Sequence, residues 1–146
     1  MVATMPIRSS SPPARPEGYS PGKGLHRLWP ALRNSARGLR FTFLSESAFR
    51  LEVALFLGLT LLLIVVPFSP LERLILIGSM LLVLIVELLN TGIELAIDRI
   101  SAERHPLSGF AKDAGSAAVL LALGFCGLCW VVLLWPHARL ALTGAA

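Results

Sequence analysis

The chain has 146 residues, 55% of them hydrophobic and only 15% charged, with a formal net charge of +4. A soluble domain carries about a quarter charged residues, so this balance excludes an ordinary water-soluble domain and places the chain in the membrane class. Its apolar runs also leave no room for a separate soluble catalytic domain, which needs roughly 50 residues or more of its own.

Residues 1–23 hold five of the ten prolines together with several Ser and Gly. Such a segment buries too little apolar surface to offset its ordering entropy, and a flexible tail is expected. Basic residues occur there without an apolar h-region, so no secretory signal is read. Over 24–46 the pattern changes. Leu25, Leu28, Trp29, Leu32, Ala36, Leu39 and Phe43 recur at helical spacing, while Arg33, Arg37 and Arg40 fall mostly on other faces. This predicts a basic amphipathic helix lying in the headgroup region, with Pro30 in its first turn.

Three long apolar runs follow, Val53–Phe68, Leu74–Ile97 and Ala114–Trp135. A helix needs roughly 20 apolar residues to cross a ~30 Å hydrocarbon core, so these predict three spans within a core of residues 47–136, followed by a short tail, 137–146. The first run is short and extends back through Leu51, with Glu52 near the interface. Pro67 and Pro70 bracket a tight turn between the first two spans. Ser101–Gly109 connects the second and third, with His105-Pro106 favouring extended backbone. Of the thirteen Lys and Arg residues, eight precede the first span, one (Arg73) lies between the first and second, and Arg99, Arg104 and Lys112 surround the second connection. The positive-inside rule then puts the N-terminus and that connection in the cytoplasm.

The second span carries the chemistry. Glu87, Asn90, Glu94 and Asp98 stand at i, i+3, i+7 and i+11, and at about 100° per residue they share one stripe. Glu87 lies roughly 20 Å along the helix from Arg73, in the inner half of the membrane. Intramembrane acids cost a few kcal/mol each and mark function by default. A lone Asn would suit simple helix-to-helix gluing. Aligned carboxylates repel one another unless a cation neutralises them, which favours metal binding or proton handling. Glu46 and Glu52 flank the first span with Arg50 between them, and Lys112-Asp113 stands before the third, followed by the small residues Gly115 and Ser116. Glu46 and Glu94 are oxygen ligands that suit Mg²⁺, which takes one or two carboxylates plus phosphate oxygens and water. Phosphoryl transfer needs little more than a metal, cations on the phosphates and a group to take the hydroxyl proton; Glu87, the deeper carboxylate, suits that last role.

Other features are given bland readings. Cys126-Gly-Leu-Cys129 lies inside the third span and is expected to pack as two small apolar residues. Gly124 and Gly127 are read as packing positions, His26 and His137 as solvated. Trp130 and Trp135 are expected in an outer aromatic belt.

The run Glu87-Leu-Leu-Asn90-Thr-Gly-Ile-Glu94-Leu-Ala-Ile-Asp98-Arg99 resembles the signature E-x-x-N-[ST]-x-I-E-x-x-x-D-[RK] of the prokaryotic diacylglycerol kinase family. So do Leu107-Ser-Gly-Phe-Ala-Lys112-Asp113-Ala-Gly115-Ser116-Ala-Ala118 and, upstream, Glu46-Ser-Ala48-Phe49-Arg50-Leu-Glu52, where Ser45 replaces the family's Asn. The resemblance runs from about Leu25 to Trp135. It implies an all-α membrane protein with an amphipathic surface helix and three spans, assembled as a homotrimer with shared active sites in the bacterial inner membrane. It implies ATP-dependent phosphorylation of diacylglycerol to phosphatidic acid at the cytoplasmic face, with Mg²⁺ and no nucleic-acid partner. Glu87 would be the base; Glu46 and Glu94 would hold the metal. Arg27 and Lys112 would neutralise phosphate charge, Glu103 and His105 would sit near the base and ribose of ATP, and Asn90 and Asp113 would shape the site. Ala48, Phe49, Arg50, Glu52, Asp98 and Ser116 belong to the same matching blocks and are taken as further site-shaping positions. The aromatic residues that family members carry near Asn34, Ala36 and Arg104 are absent. A polyprenol kinase acting on undecaprenol is the rival enzyme; a small proton or cation channel along the acidic stripe, or an assembly helper, are the rivals outside enzymology.

Overall fold

A computed structural model describes residues 28–100 and 105–143. The chain divides into two compact units, residues 1–35 and 36–146, and only 28–35 of the first are among those described. The expected tail 1–23, together with Arg27 and Glu103, lies outside them. Every described element is helical: α1 (Leu28–Ser45), α2 (Ser47–Val65), α3 (Pro70–Ile100) and α4 (Pro106–Thr143).

The last three are long and apolar enough to cross a membrane. Lipid offers no hydrogen bonds, so a spanning segment must satisfy its backbone internally, and helices do so. The hydroxyls in these spans also turn inward on their own helix. Thr60 Oγ1 donates to the Phe56 carbonyl at 2.7 Å, Ser79 Oγ to Leu76 at 2.8 Å and Thr91 Oγ1 to Glu87 at 3.0 Å. The protein is an all-α membrane protein, as its runs predict.

Helix α3 is the middle of the bundle and packs against both α2 and α4. A buried apolar cluster, Leu63, Phe68, Leu76, Met80 and Trp130, sits at the end where α2 turns into α3. Phe68, between the two prolines, points inward there and is 4% exposed. Its ring meets Trp130 edge-on at 6.4 Å and His137 at 4.7 Å. Trp130 is therefore a core residue rather than a belt residue, whereas Trp135 is exposed. His137, read as solvated, is half-buried against Phe68, with Nε2 3.6 Å from Glu72 Oε1. Gly124 and Gly127, read as packing positions, have no neighbour from this chain within 4 Å.

The turn into α3 is fixed by a reciprocal cap. Ser69 N–H donates to Glu72 Oε2 at 2.7 Å, and Glu72 N–H donates to Ser69 Oγ at 3.3 Å, with Pro70 as the first helical residue. This pairing satisfies two of the orphan donors at a helix start, and proline there gives up an N–H that had no partner. At the far end, α4 runs through Pro136 to Thr143, so residues 137–143 of the expected tail are helical. A proline is tolerated inside a span where neighbouring groups re-satisfy the freed carbonyl.

Candidate functional site

Helices α1 and α2 are separated by a single extended residue, Glu46, at φ −102° and ψ 118°. Glu46 holds the N-cap position of α2, yet its side chain makes no capping hydrogen bond, so the carboxylate is left for another partner. The break is braced from the other side. Arg50 Nη1 donates to the carbonyls of Phe43 and Leu44 at 3.3 and 3.2 Å, satisfying acceptors that the end of α1 leaves open. Arg50 thus works on backbone rather than on the neighbouring acids. Phe49, next to it, is buried and anchors the first turn of α2, while Ala48 is exposed.

On α3 the predicted stripe forms and grades outward. Glu87 and Asn90 are buried, Glu94 is half-buried and Asp98 is exposed. Asn90 Nδ2 donates to Glu94 Oε1 at 3.2 Å, tying the stripe together along one helical turn. The carboxylates of Glu46 and Glu94 both act electrostatically on Glu87, and Glu87 acts on Glu52. Four acids from α2, α3 and the residue that breaks α1 from α2 thus gather in one neighbourhood. Glu52 Oε2 and Asn90 Oδ1 are buried there without a hydrogen-bond partner. Glu52 also lines an open apolar groove of about 80 Å³ to which all three spanning helices contribute, with Leu55 and Phe56 from α2, Met80 and Val83 from α3, and Leu123 and Cys126 from α4.

Helix α4 contributes less directly. Lys112 Nζ donates to Asp98 Oδ1, so its charge is spent on the exposed end of the stripe. Asp113 and Ser116 are exposed, and Gly115 is buried against Asn90. His105 Nδ1 accepts from Leu107 N–H at 3.2 Å and so caps the start of α4; Nε2 must then carry the proton when the ring is neutral. Two features escaped the sequence reading: the backbone role of Arg50 and the contact of Gly115 with Asn90. The first had no signal in residue order; the second had the small residue but not its partner.

Among the described residues no group of three or more His, Cys, Asp or Glu side chains closes on one metal position. A hard cation such as Mg²⁺ needs only one or two carboxylates and completes its shell with phosphate oxygens and water. Glu46, free of any capping bond, and Glu94, which accepts from Asn90, are the two carboxylates that could hold one. Cys126 and Cys129 are half-buried free thiols, the first accepting from Ser79 Oγ at 3.6 Å, and they pack against the apolar cluster as expected.

The family model described as prokaryotic diacylglycerol kinase matches residues 33–134. The diacylglycerol kinase of Escherichia coli K12 is 44% identical over 119 residues, covering 78% of this chain and 93% of that protein. The one from Pseudomonas aeruginosa is 42% identical over 119 residues, covering 82% and 97%. The one from Haemophilus influenzae is 43% identical over 107 residues, covering 73% and 91%. The matched stretch takes in the first two spans, most of the third and every described acid of the stripe, and this chain belongs to the prokaryotic diacylglycerol kinase family.

Proposed function

We propose that this chain is a membrane lipid kinase that moves the γ-phosphoryl group of ATP onto the free hydroxyl of diacylglycerol, giving phosphatidic acid. The observation that carries the reading is the gathering of Glu46, Glu87 and Glu94 at one end of the bundle, inside the stretch that matches the family. That end is also where the start of α2 and the end of α3 meet, the side the basic residues assign to the cytoplasm and hence to ATP. The membrane in question is the bacterial inner membrane, with the N-terminus inside.

Glu87 accepts the proton of the lipid hydroxyl. As it does so the hydroxyl oxygen bonds to the γ-phosphorus in line with the departing β–γ bridging oxygen, and ADP leaves. Glu46 and Glu94 are the residues that would hold Mg²⁺, which when bound offsets charge on the phosphates. Lys112 and Arg27 supply further positive charge. The bond from Lys112 to Asp98 is solvent-exposed on both sides and therefore weak enough to exchange for a triphosphate. The apolar groove that Glu52 lines with side chains of α2, α3 and α4 suits an acyl chain entering sideways from the bilayer. A homotrimer with shared sites, the family's arrangement, would bring a neighbour's residues to the nucleotide side.

The test is a transfer assay with the full chain reconstituted in phospholipid vesicles, supplied with Mg-ATP and either diacylglycerol or undecaprenol. Preferred phosphorylation of diacylglycerol is expected. Preference for undecaprenol would keep the site and change the substrate. Transfer to neither by a folded protein would overturn the reading and favour the channel.

A further inference from the structure

Among the described glycines, only Gly115 has a neighbour where a side chain would begin: a Cβ there would overlap Asn90 Oδ1. The others face open space. Gly115 is buried on the face of α4 that meets α3, and Asn90 is itself only 9% exposed. The two ends of the Asn90 carboxamide are held differently. Nδ2 donates to Glu94 Oε1 at 3.2 Å, while Oδ1 has no conventional partner and lies against the bare backbone of Gly115. The amide is therefore wedged: one side by a hydrogen bond to an acid, the other by a helix that approaches closely because it lacks a Cβ at this position.

A methyl group at 115 forces one of two changes. Either the Asn90 side chain rotates out of its seat and releases Glu94, or α4 moves away from α3. The second route is resisted on both sides of the contact. Lys112, one turn before Gly115, bonds to Asp98, one turn after Glu94. Beyond it, Ala122 and Trp130 of α4 are buried in the bundle. The cheaper change is rotation of the amide.

We propose that Gly115 is a positioning residue of the phosphoryl-transfer site, seating Asn90 so that its amide fixes the Glu94 carboxylate in the orientation a divalent cation needs. The inference rests on Glu94 being a cation ligand. Carboxylates that ligate metals are themselves held by hydrogen bonds, and losing such a partner typically costs about 10–100-fold in metal affinity.

The experiment measures Mn²⁺ binding by electron paramagnetic resonance, on the full chain in lipid with a non-hydrolysable ATP analogue present. Gly115→Ala is expected to weaken Mn²⁺ binding by about 10–100-fold, and Asn90→Ala by a similar factor. The double variant is expected to be no worse than Asn90→Ala alone, because without the carboxamide the new methyl has nothing to displace. A general packing role for Gly115 predicts independent losses that multiply. Unchanged binding in Gly115→Ala, or multiplied losses in the double variant, overturns the inference. If Gly115→Ala alone fails to fold, a folded double variant binding like Asn90→Ala supports it, and a double variant that also fails overturns it. Glu94→Gln separates the two levels: unaffected Mn²⁺ binding there removes the cation assignment itself, whereas weakened binding there with an indifferent Gly115→Ala removes only this inference.

Discussion

The two ends of the α2–α4 bundle, inner and outer in the orientation proposed above, are built on opposite principles. At the end where α2 turns into α3, the outer one, Leu63, Phe68, Leu76, Met80 and Trp130 pack into one apolar cluster, and the polar groups beside it are paired: Ser69 with Glu72, Glu72 with His137. Trp130 Nε1 is the described exception. At the inner end Glu87, Asn90 and Thr91 are buried, carboxylates crowd one another, and Glu52 Oε2 and Asn90 Oδ1 have no partner. A buried polar group without a partner costs roughly 1–3 kcal/mol, so the inner end is costly to fold and stands only because the outer end and the α3–α4 contact hold it. The lesson is one of division. Stability is concentrated where nothing reacts, and unfilled bonding capacity is concentrated where ligands would arrive.

The largest effect should follow from removing the inner charge that the proposed reaction uses. Glu87→Gln keeps the shape of a buried side chain and removes its capacity to accept a proton. Turnover is expected to fall by about 10²–10⁴-fold, read as Mg-ATP-dependent transfer to diacylglycerol in vesicles. Thermal stability should hold or rise, since an acid crowded by Glu46 and Glu94 is relieved. Full activity would remove Glu87 as the base. Lost stability would show that the inner end carries weight in the fold and would weaken the contrast itself.

The complementary change strikes the outer end. Leu76 is fully buried at the centre of the apolar cluster. Leu76→Ala leaves a cavity where lipid cannot easily enter, at a cost of about 2 kcal/mol, toward the low end for such truncations because lipid tails are as apolar as leucine. Unfolding in mixed micelles should shift accordingly, with specific activity of the folded fraction unchanged. An activity loss without a stability loss would mean that the ends are coupled rather than divided.

How much of this contrast was legible in residue order differs between the ends. The inner stripe was, because Glu87, Asn90, Glu94 and Asp98 repeat on a helical period within a run whose length already marked a span. The break at Glu46 was not, since an acid in β conformation between two helices leaves no periodic trace. The outer end was legible in outline only. Ser69-Pro-Leu-Glu72 carries the capping pattern, whereas the two prolines by themselves indicate only a turn. Residue order makes His137 look solvated and Trp130 a belt residue, because nothing local says that Phe68 folds inward and meets both of them. Gly115 lay in a recognised run of small residues, but which of them needed to be glycine depends on where Asn90 sits on another helix. Period and length are local properties; partners across helices are not.

The smallest expected effect sharpens the outer end most finely. His137 makes two contacts: its ring edge against Phe68 and its Nε2 near Glu72. His137→Phe retains an aromatic ring against Phe68 and removes the nitrogen that faces Glu72, so it isolates the polar contact. Both side chains are partly exposed, which caps the effect at under about 1 kcal/mol. Wild type should thus unfold slightly later than His137→Phe at low salt, with high salt closing the gap. A gap that salt leaves unchanged would assign the contact to ring packing instead. The outer end would then be held by shape alone, and electrostatics in this bundle would belong entirely to the inner one.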